Sequence, residues 1–211
     1  KGLYLINVVD EVTQFQVVCA VARISEVFQL PVLEVMIDAF PFVMRGFHSD
    51  NASEYIDHQV AKLLEKLRIE RTKSRARQTN DNAHAESNNA STVRKYLGYS
   101  HIPQHCASQV NAFTTEMLSP YLNFRRPYHF PSEYTDKKGR MRKRYCYQDM
   151  MTPYEKLRSL PKAQRHLKPG TTLEKLDAMA DECNDNDAVQ RLNEARTKLF
   201  QLINKTQQRT A

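Results

Sequence analysis

The sequence contains no run of about 18 apolar residues, the length that marks a membrane-spanning helix. No signal peptide is visible at Lys1-Gly2, and no internal repeat is found. We therefore expect no membrane partner and a cytoplasmic location. Because the chain does not begin with methionine, we also expect its natural start to lie upstream of Lys1.

Paired cysteine spacing is absent as well. The four cysteines are scattered, and we expect them to be reduced cytosolic thiols: Cys19, Cys106, Cys146 and Cys183. His101, His105 and Cys106 lie close together and suggest zinc. They lack a second pair at ligand spacing, so a helix start with its loop is the favoured interpretation.

The charge is biased towards the basic side. Lysine and arginine number 31 against 24 aspartate and glutamate, which gives a formal net charge of +7. Such a surplus favours a polyanionic partner, nucleic acid above all, although many mildly basic proteins bind no polyanion.

Apolar periodicity predicts the order strand, strand, helix, strand, helix, strand, loop, helix over residues 1–97, a mixed α/β pattern. The predicted strands are 3–9, 15–22, 42–48 and 69–74, and the predicted helices are 25–40, 53–67 and 84–97. In the first helix we expect an apolar stripe to be buried: Val27, Phe28, Val32, Val35, Met36 and Ala39.

The rest of the chain changes character after residue 125. A long helix is predicted over 104–124, followed by a basic β-hairpin region over 126–160 and a helical tail over 161–211. Thr152 and Pro153 are typical of the start of a short helix. We thus divide the chain into 1–125, 126–160 and 161–211.

Two carboxylates are candidates for chemistry. Asp50 ends the third predicted strand, and Glu86 opens the helix after a polar loop. A strand end and a helix start can converge when the helix packs across the sheet, and hard oxygen ligands suit Mg²⁺ or Mn²⁺. Alternatively, Asp50 is a turn residue and Glu86 a favourable charge at a helix N-terminus.

Several motifs resemble one family. The elements SDNASEY and NDNAHAESNN, the 35 residues between Asp50 and Glu86, and the segments RKYLGYSHIP and PYLNFRRP resemble the DDE integrase/transposase superfamily. Within it, the closest likeness is to bacterial insertion-sequence transposases with a retroviral-integrase-type core. The resemblance implies a ribonuclease-H-like mixed sheet flanked by helices in residues 1–125. It also implies metal-dependent cleavage and transfer of DNA strands.

The resemblance assigns roles to residues that match its motifs. Asp50 corresponds to the second catalytic carboxylate and Glu86 to the third, both as ligands of Mg²⁺ or Mn²⁺. Asn82 and Asn89 correspond to the rim of the active site. Arg94 best replaces a DNA-contacting lysine of the family, because the equivalent position is occupied here by valine.

The sequence also departs from the family pattern. Ala52 and Ala83 stand where the family has glycines, which tolerate backbone conformations that alanine does not. Only two strands precede the first helix, where the ribonuclease-H-like fold needs three. The first strand, which carries the first catalytic aspartate, is therefore expected upstream of this sequence. Asp10 is then a turn residue, or alternatively the first ligand itself.

If that strand is missing, its central place between strands 3–9 and 42–48 should be empty, or the pairing should be rearranged. Unpaired edges there would cost stability and promote aggregation.

The basic hairpin is the second candidate site. Four of its residues are expected to contact DNA phosphates: Lys138, Arg140, Arg142 and Lys143. Tyr145 and Tyr147 could stack on bases or simply pack. A charged surface hairpin without a ligand is the alternative.

The function expected from these features is that of a transposase or integrase catalytic region. Its partners would be mobile-element ends and target DNA, bound by a homo-oligomer at the bacterial nucleoid. Two alternatives keep the fold: a truncated, inactive remnant that at most binds DNA, and a host nuclease.

Overall fold

The computed structural model describes residues 1–49, 61, 63–65, 69–73 and 89–210. The strands are β1 (Tyr4–Val9), β2 (Gln16–Val21), β3 (Gly46–Ser49), β4 (Glu70–Lys73), β5 (Tyr128–His129), β6 (Ser132–Thr135), β7 (Met141–Arg144) and β8 (Met150–Met151). The helices are α1 (Glu26–Ala39), α2 (Lys95–Leu97), α3 (Ala107–Phe113), α4 (Ser119–Phe124), α5 (Pro153–Ser159), α6 (Leu173–Asp181) and α7 (Asp185–Thr210). The described part is a mixed α/β structure, as expected from the sequence. None of its helices has the length and apolar character needed to cross a membrane.

Strands β1 and β2 form an antiparallel hairpin that is closed by a turn at Asp10. The Asp10 carboxylate accepts hydrogen bonds from the backbone N–H of Thr13 at 2.7 Å and from its hydroxyl at 2.6 Å. Gln14 completes the turn with a positive φ of 61°. These contacts agree with the interpretation of Asp10 as a turn residue.

The outer edge of β2 is closed by two asparagine side chains from the helical segment 104–124, which we call the long helix. The amide of Asn123 accepts from Gln16 N at 2.7 Å and donates to Gln16 O at 2.8 Å. Asn111 does the same for Ala20, at 2.6 and 2.9 Å. Each side-chain amide thus bonds the strand as a neighbouring peptide group would, and every residue of β2 is buried.

The outer edge of β1 is different. Gln16 and Ala20 direct their backbone groups away from β1, towards the asparagines. Because the two residues of such a pair both face outward in an antiparallel ladder, the backbone groups of their partners Val9 and Leu5 point away from β2. A bridge between Gly2 and Pro103 covers the beginning of this edge. Beyond that bridge, none of the described strands pairs with β1 except β2.

Strands β3 and β4 form a separate parallel pair, with Gly46 opposite Glu70 and Ser49 opposite Lys73. Strand β3 is shorter than the predicted strand 42–48, because Phe42 bridges to Leu167 instead. Strands β1 and β3 are not paired within the described ranges, so the direct pairing that would have made Asp10 the first ligand is not found.

Helix α1 buries a different face from the one predicted. Leu33, Met36, Ile37 and Phe40 enter the core, whereas Val27 is 78% exposed. The same correction applies to most of the predicted stripe: Phe28, Val35 and Ala39 are exposed, and Val32 is half-buried. The reason is that α1 is apolar on nearly all sides, so periodicity alone does not select a face.

The β1–β2 hairpin lies between two apolar clusters. On one face, Phe15, Val17 and Cys19 pack with α1, α5 and α6. Phe15 is the centre of an aromatic group, with ring centroids 5.7 Å from Phe40 and 6.2 Å from Phe124. On the other face, Ala20 and the half-buried Leu3 and Leu5 pack with the long helix and α7, through the residues Val110, Leu118, Leu122, Leu192, Leu199 and Ile203.

The segment that follows α5 fastens the C-terminal end of α1. The Lys168 ammonium donates at 2.7 Å to Ile37 O, a carbonyl of the last turn that also accepts from Phe40 N. Lys168 N also donates to Pro41 O at 3.0 Å. Partial burial lowers the pKa of Lys168, and the nearby Asp38 carboxylate opposes this effect. The helix therefore receives from a distant residue the cation that its own last turn lacks.

The C-terminal elements follow the sequence prediction closely. Helix α5 begins with a capping box, in which Thr152 and Glu155 exchange hydrogen bonds, and Pro153 occupies its first position. The tail contains two helices, α6 and α7. The basic region forms the predicted hairpin, β6–β7.

Asn111 and Asn123, which we call the asparagine clamp, predict a large effect of one substitution. Asn123→Ala should lower the free energy of unfolding by about 2 kcal/mol or more, since it leaves two buried backbone groups of Gln16 without partners. Asn193→Ala, on the exposed face of α7, is the matched control and should change it by less than about 0.5 kcal/mol. Urea unfolding of the three proteins measures the difference. Equal stabilities of the two variants would show that the clamp is not needed.

Candidate nucleic-acid interface and the predicted carboxylate site

The two predicted carboxylates, Asp50 and Glu86, lie outside the described residues, as do Ala52, Asn82 and Ala83. Described elements end or begin within three residues of Asp50 and Glu86 in the sequence. Strand β3 ends at Ser49, the residue before Asp50, and a π-helical turn begins at Asn89, three residues after Glu86. The structure therefore shows how the flanking elements are held.

A buried polar network holds the turn Asn89–Arg94 against the hairpin. The Thr92 hydroxyl donates to Gln16 Oε1 at 3.0 Å, and Gln16 Nε2 donates to Asn7 Oδ1 at 2.7 Å. Thr92 and Gln16 are both completely buried. The turn that follows Glu86 in sequence is thus bonded to β2, at the residue whose backbone Asn123 also holds.

The same network extends to the base of the basic region. Tyr128, in β5, donates from its hydroxyl to Gln16 Oε1 at 3.4 Å. The Arg126 guanidinium lies 4.9 Å from the centroid of the Tyr128 ring and donates to the Thr92 hydroxyl at 3.3 Å. Burial raises the pKa of Tyr128, although the Arg126 charge opposes it. A neutral phenol is therefore maintained at physiological pH.

Sequence reasoning missed this network, although a signal exists. Gln16 is the only polar side chain in the strand QVVCAV, and a fully buried glutamine needs hydrogen-bond partners. Its partners are separated from it by 76 residues in the case of Thr92 and by 112 in the case of Tyr128. Nothing in the local pattern identifies them.

Arg94 occupies the end of the π-helical turn and is exposed. Its guanidinium carbon lies 5.8 Å from the centroid of the Tyr99 ring, and Tyr99 is itself 85% exposed. While Thr92 points into the network, Arg94 reaches solvent two residues later. Arg94 is therefore an accessible cation next to an aromatic ring, and its role in contacting DNA stays a prediction.

The predicted DNA-binding residues of the basic region lie on an exposed ribbon. Strands β6 and β7 pair from Ser132 opposite Arg144 to Thr135 opposite Met141. Arg142 and Lys143 belong to β7, and the remaining two predicted contacts, Lys138 and Arg140, belong to the connecting turn. All four side chains are exposed, as phosphate contacts require. Tyr145 and Tyr147 are also exposed, so they do not pack into the core.

Asp136 organises the turn of this hairpin. Its carboxylate accepts from Lys138 N at 2.8 Å, from Arg140 N at 2.9 Å and from Arg142 Nε at 3.3 Å. The Arg140 N–H makes the largest contribution to a lowered pKa of Asp136, followed by Lys138 N–H and the Arg142 side chain. Gly139 completes the turn with a φ of 74°.

Within the part of the chain that the structure describes, no three His, Cys, Asp or Glu side chains are grouped so as to hold a metal ion. This applies to His101, His105 and Cys106, so the zinc interpretation receives no support. All four cysteines are free thiols. Burial raises the pKa of Cys19 to about 11, which keeps its thiol protonated and unreactive.

No family model matches the chain. A curated relative, the uncharacterized protein y4rM of Sinorhizobium fredii (strain NBRC 101917 / NGR234), is 30% identical over 106 residues. The match covers 50% of this chain and 30% of the relative, so the chain spans about a third of that protein's length.

The pH dependence of the hairpin follows from Asp136. A carboxyl group whose pKa is lowered on folding stabilises the fold above its unfolded pKa of about 3.9, and this contribution is lost as pH falls through the folded pKa. We expect the amide NMR signals of Lys138, Gly139 and Arg140 to shift together below about pH 4.

Asp136→Asn is the matched control for this titration. It keeps an oxygen acceptor for the two backbone N–H groups but cannot titrate. The shifts should therefore disappear in this variant. Identical pH profiles in the two proteins would contradict the role assigned to Asp136.

Proposed function

We propose that the chain is part of the catalytic region of a DDE-type DNA transposase or integrase. The observation that carries the proposal is the arrangement of the strands. An antiparallel hairpin, β1–β2, precedes helix α1 and a parallel pair, β3–β4. This is the order of a ribonuclease-H-like sheet whose first strand is not among the described strands.

The two edges of the hairpin support this proposal further. Asn111 and Asn123 close the edge of β2, so a further strand has no place there. Past the Gly2–Pro103 bridge, the edge of β1 has no described strand beside it. In the ribonuclease-H-like sheet, the first strand lies between the strands that correspond to β1 and β3. Among the described strands, the edge without a partner is therefore the one that this fold requires.

The chemistry would depend on Asp50 and Glu86. Asp50 directly follows β3 in the sequence, and Glu86 precedes the turn held by Thr92. Their carboxylate oxygens are hard donors and would hold Mg²⁺ or Mn²⁺, together with a third carboxylate. When bound, such ions activate a water or a 3′-hydroxyl for phosphodiester transfer.

DNA is the proposed partner, both as mobile-element ends and as target. The exposed basic hairpin, Arg94 and the net charge of +7 supply the cations. A homo-oligomer assembled on DNA in the bacterial cytoplasm, at the nucleoid, completes the proposal.

A second candidate function is a catalytically inactive remnant that only binds DNA. The lack of a first catalytic aspartate among the described residues favours it, since the Asp10 carboxylate is bonded to Thr13 within the turn. The alanines at positions 52 and 83 favour it as well. Metal-dependent nicking of labelled DNA by the full gene product separates the two: activity rejects the remnant, and its absence rejects the enzyme.

The decisive substitutions are Asp50→Asn and Glu86→Gln in the full-length protein. Each should abolish strand transfer while the fold is retained, because a neutral amide cannot balance the charge of the metal ion. Glu194→Gln, on the exposed surface of α7, is the control and should keep full activity. Near-normal turnover of either site variant with Mn²⁺ would show that the site assignment is wrong.

A further inference from the structure

The two faces of the basic hairpin differ in charge. In a two-stranded ribbon, residues opposite one another share a face, and successive residues alternate between faces. The pairs Tyr134–Arg142 and Ser132–Arg144 therefore lie on one face, which we call the arginine face. The pairs Glu133–Lys143 and Thr135–Met141 lie on the other, which we call the neutral face.

Side-chain contacts agree with this division. The Thr135 hydroxyl contacts Met141 Sδ at 3.5 Å on the neutral face. Asp136 follows Tyr134 by two residues and reaches Arg142 on the arginine face. The four strand residues of the arginine face carry two positive charges, of which Arg142 is paired with Asp136 at 3.3 Å and Arg144 is left over. On the neutral face, Lys143 lies directly opposite the carboxylate-bearing Glu133, so that face has no net charge.

One side chain of the arginine face, Arg142, makes a contact within the hairpin. The bond from Arg142 Nε to Asp136 fixes the side chain but uses only one of the five donors of the guanidinium group. Arg144 lies two residues further along the same strand, about 7 Å away. Tyr134, 48% exposed, lies opposite Arg142 and offers a hydroxyl donor.

We propose that the arginine face is the surface of the hairpin that contacts duplex DNA, and that the neutral face points away from it. This proposal rests on the proposed function and narrows its interface. Arg142 and Arg144 each bind a phosphate, and the Tyr134 hydroxyl donates to the backbone between them. Guanidinium groups suit phosphate because their donors form a fork that matches two oxygens. The phosphate contact that the sequence alone assigned to Lys143 is made by Arg144 in this proposal.

Neighbouring residues provide a matched test. Arg144→Ala and Lys143→Ala each remove one positive charge from the same strand, but from opposite faces. Binding of the full 211-residue chain to a fluorescein-labelled random duplex is measured by anisotropy over a range of salt concentrations. The slope of log K against log salt is negative, and Arg144→Ala should make it shallower by about 0.9, the value for one phosphate contact. Lys143→Ala should leave the slope unchanged.

The double variant Arg142→Ala/Arg144→Ala should make the negative slope shallower by about 1.8, twice the value for one contact. Amide NMR spectra of Ser132, Glu133 and Thr135 verify that β6 keeps its pairing in each variant. If Arg144→Ala and Lys143→Ala reduce the salt dependence of DNA affinity equally, the face assignment is overturned, although the hairpin still binds DNA. Unchanged slopes in all variants would exclude the hairpin from the interface, and the Asp50 and Glu86 variants would still test the proposed function independently.

Discussion

The fold depends on two asparagine side chains that substitute for a β-strand. Asn111 and Asn123 each bond both backbone groups of one β2 residue, and they fix the long helix along that edge. An unpaired strand edge invites association with other chains, and proteins commonly cover such edges with a helix. Here the helix also supplies the hydrogen bonds. Because the β2 edge is occupied, a further strand can be added to this hairpin only beside β1.

Gln16 joins this clamp to the proposed functional regions. Asn123 holds its backbone, while its side chain binds Thr92 on one side and Tyr128 on the other. Thr92 belongs to the turn that follows Glu86, and Tyr128 lies at the base of the basic region. The turn that follows Glu86 in sequence and the start of the proposed DNA-binding region are thus both bonded to one buried residue. Buried networks of this kind specify a single arrangement when all their members are satisfied.

Local patterns predicted much of this fold, and tertiary contacts decided the rest. The β1–β2 hairpin, the capping box at Thr152 and the β6–β7 ribbon follow from alternation, capping residues and turn chemistry, which act within a few residues. The buried face of α1 was predicted wrongly, because an apolar helix shows no preferred side. The asparagine clamp and the Gln16 network were not predicted, since their partners are distant in sequence. The predicted site at Asp50 and Glu86 stays a prediction. Which hairpin residues share a face could be assigned only from the register of β6 and β7 in the structure.

Amide hydrogen exchange of the 211-residue chain tests most directly whether the β2 edge of the hairpin is closed and the β1 edge, which has no partner among the described strands beyond β2, is open. The backbone N–H groups of Gln16 and Ala20 are bonded to asparagine oxygens, and those of Leu5 and Val9 point towards the open side. The account predicts slow exchange at Gln16 and Ala20 and fast exchange at Leu5 and Val9. Equally slow exchange at all four amides in a monomeric chain would contradict it.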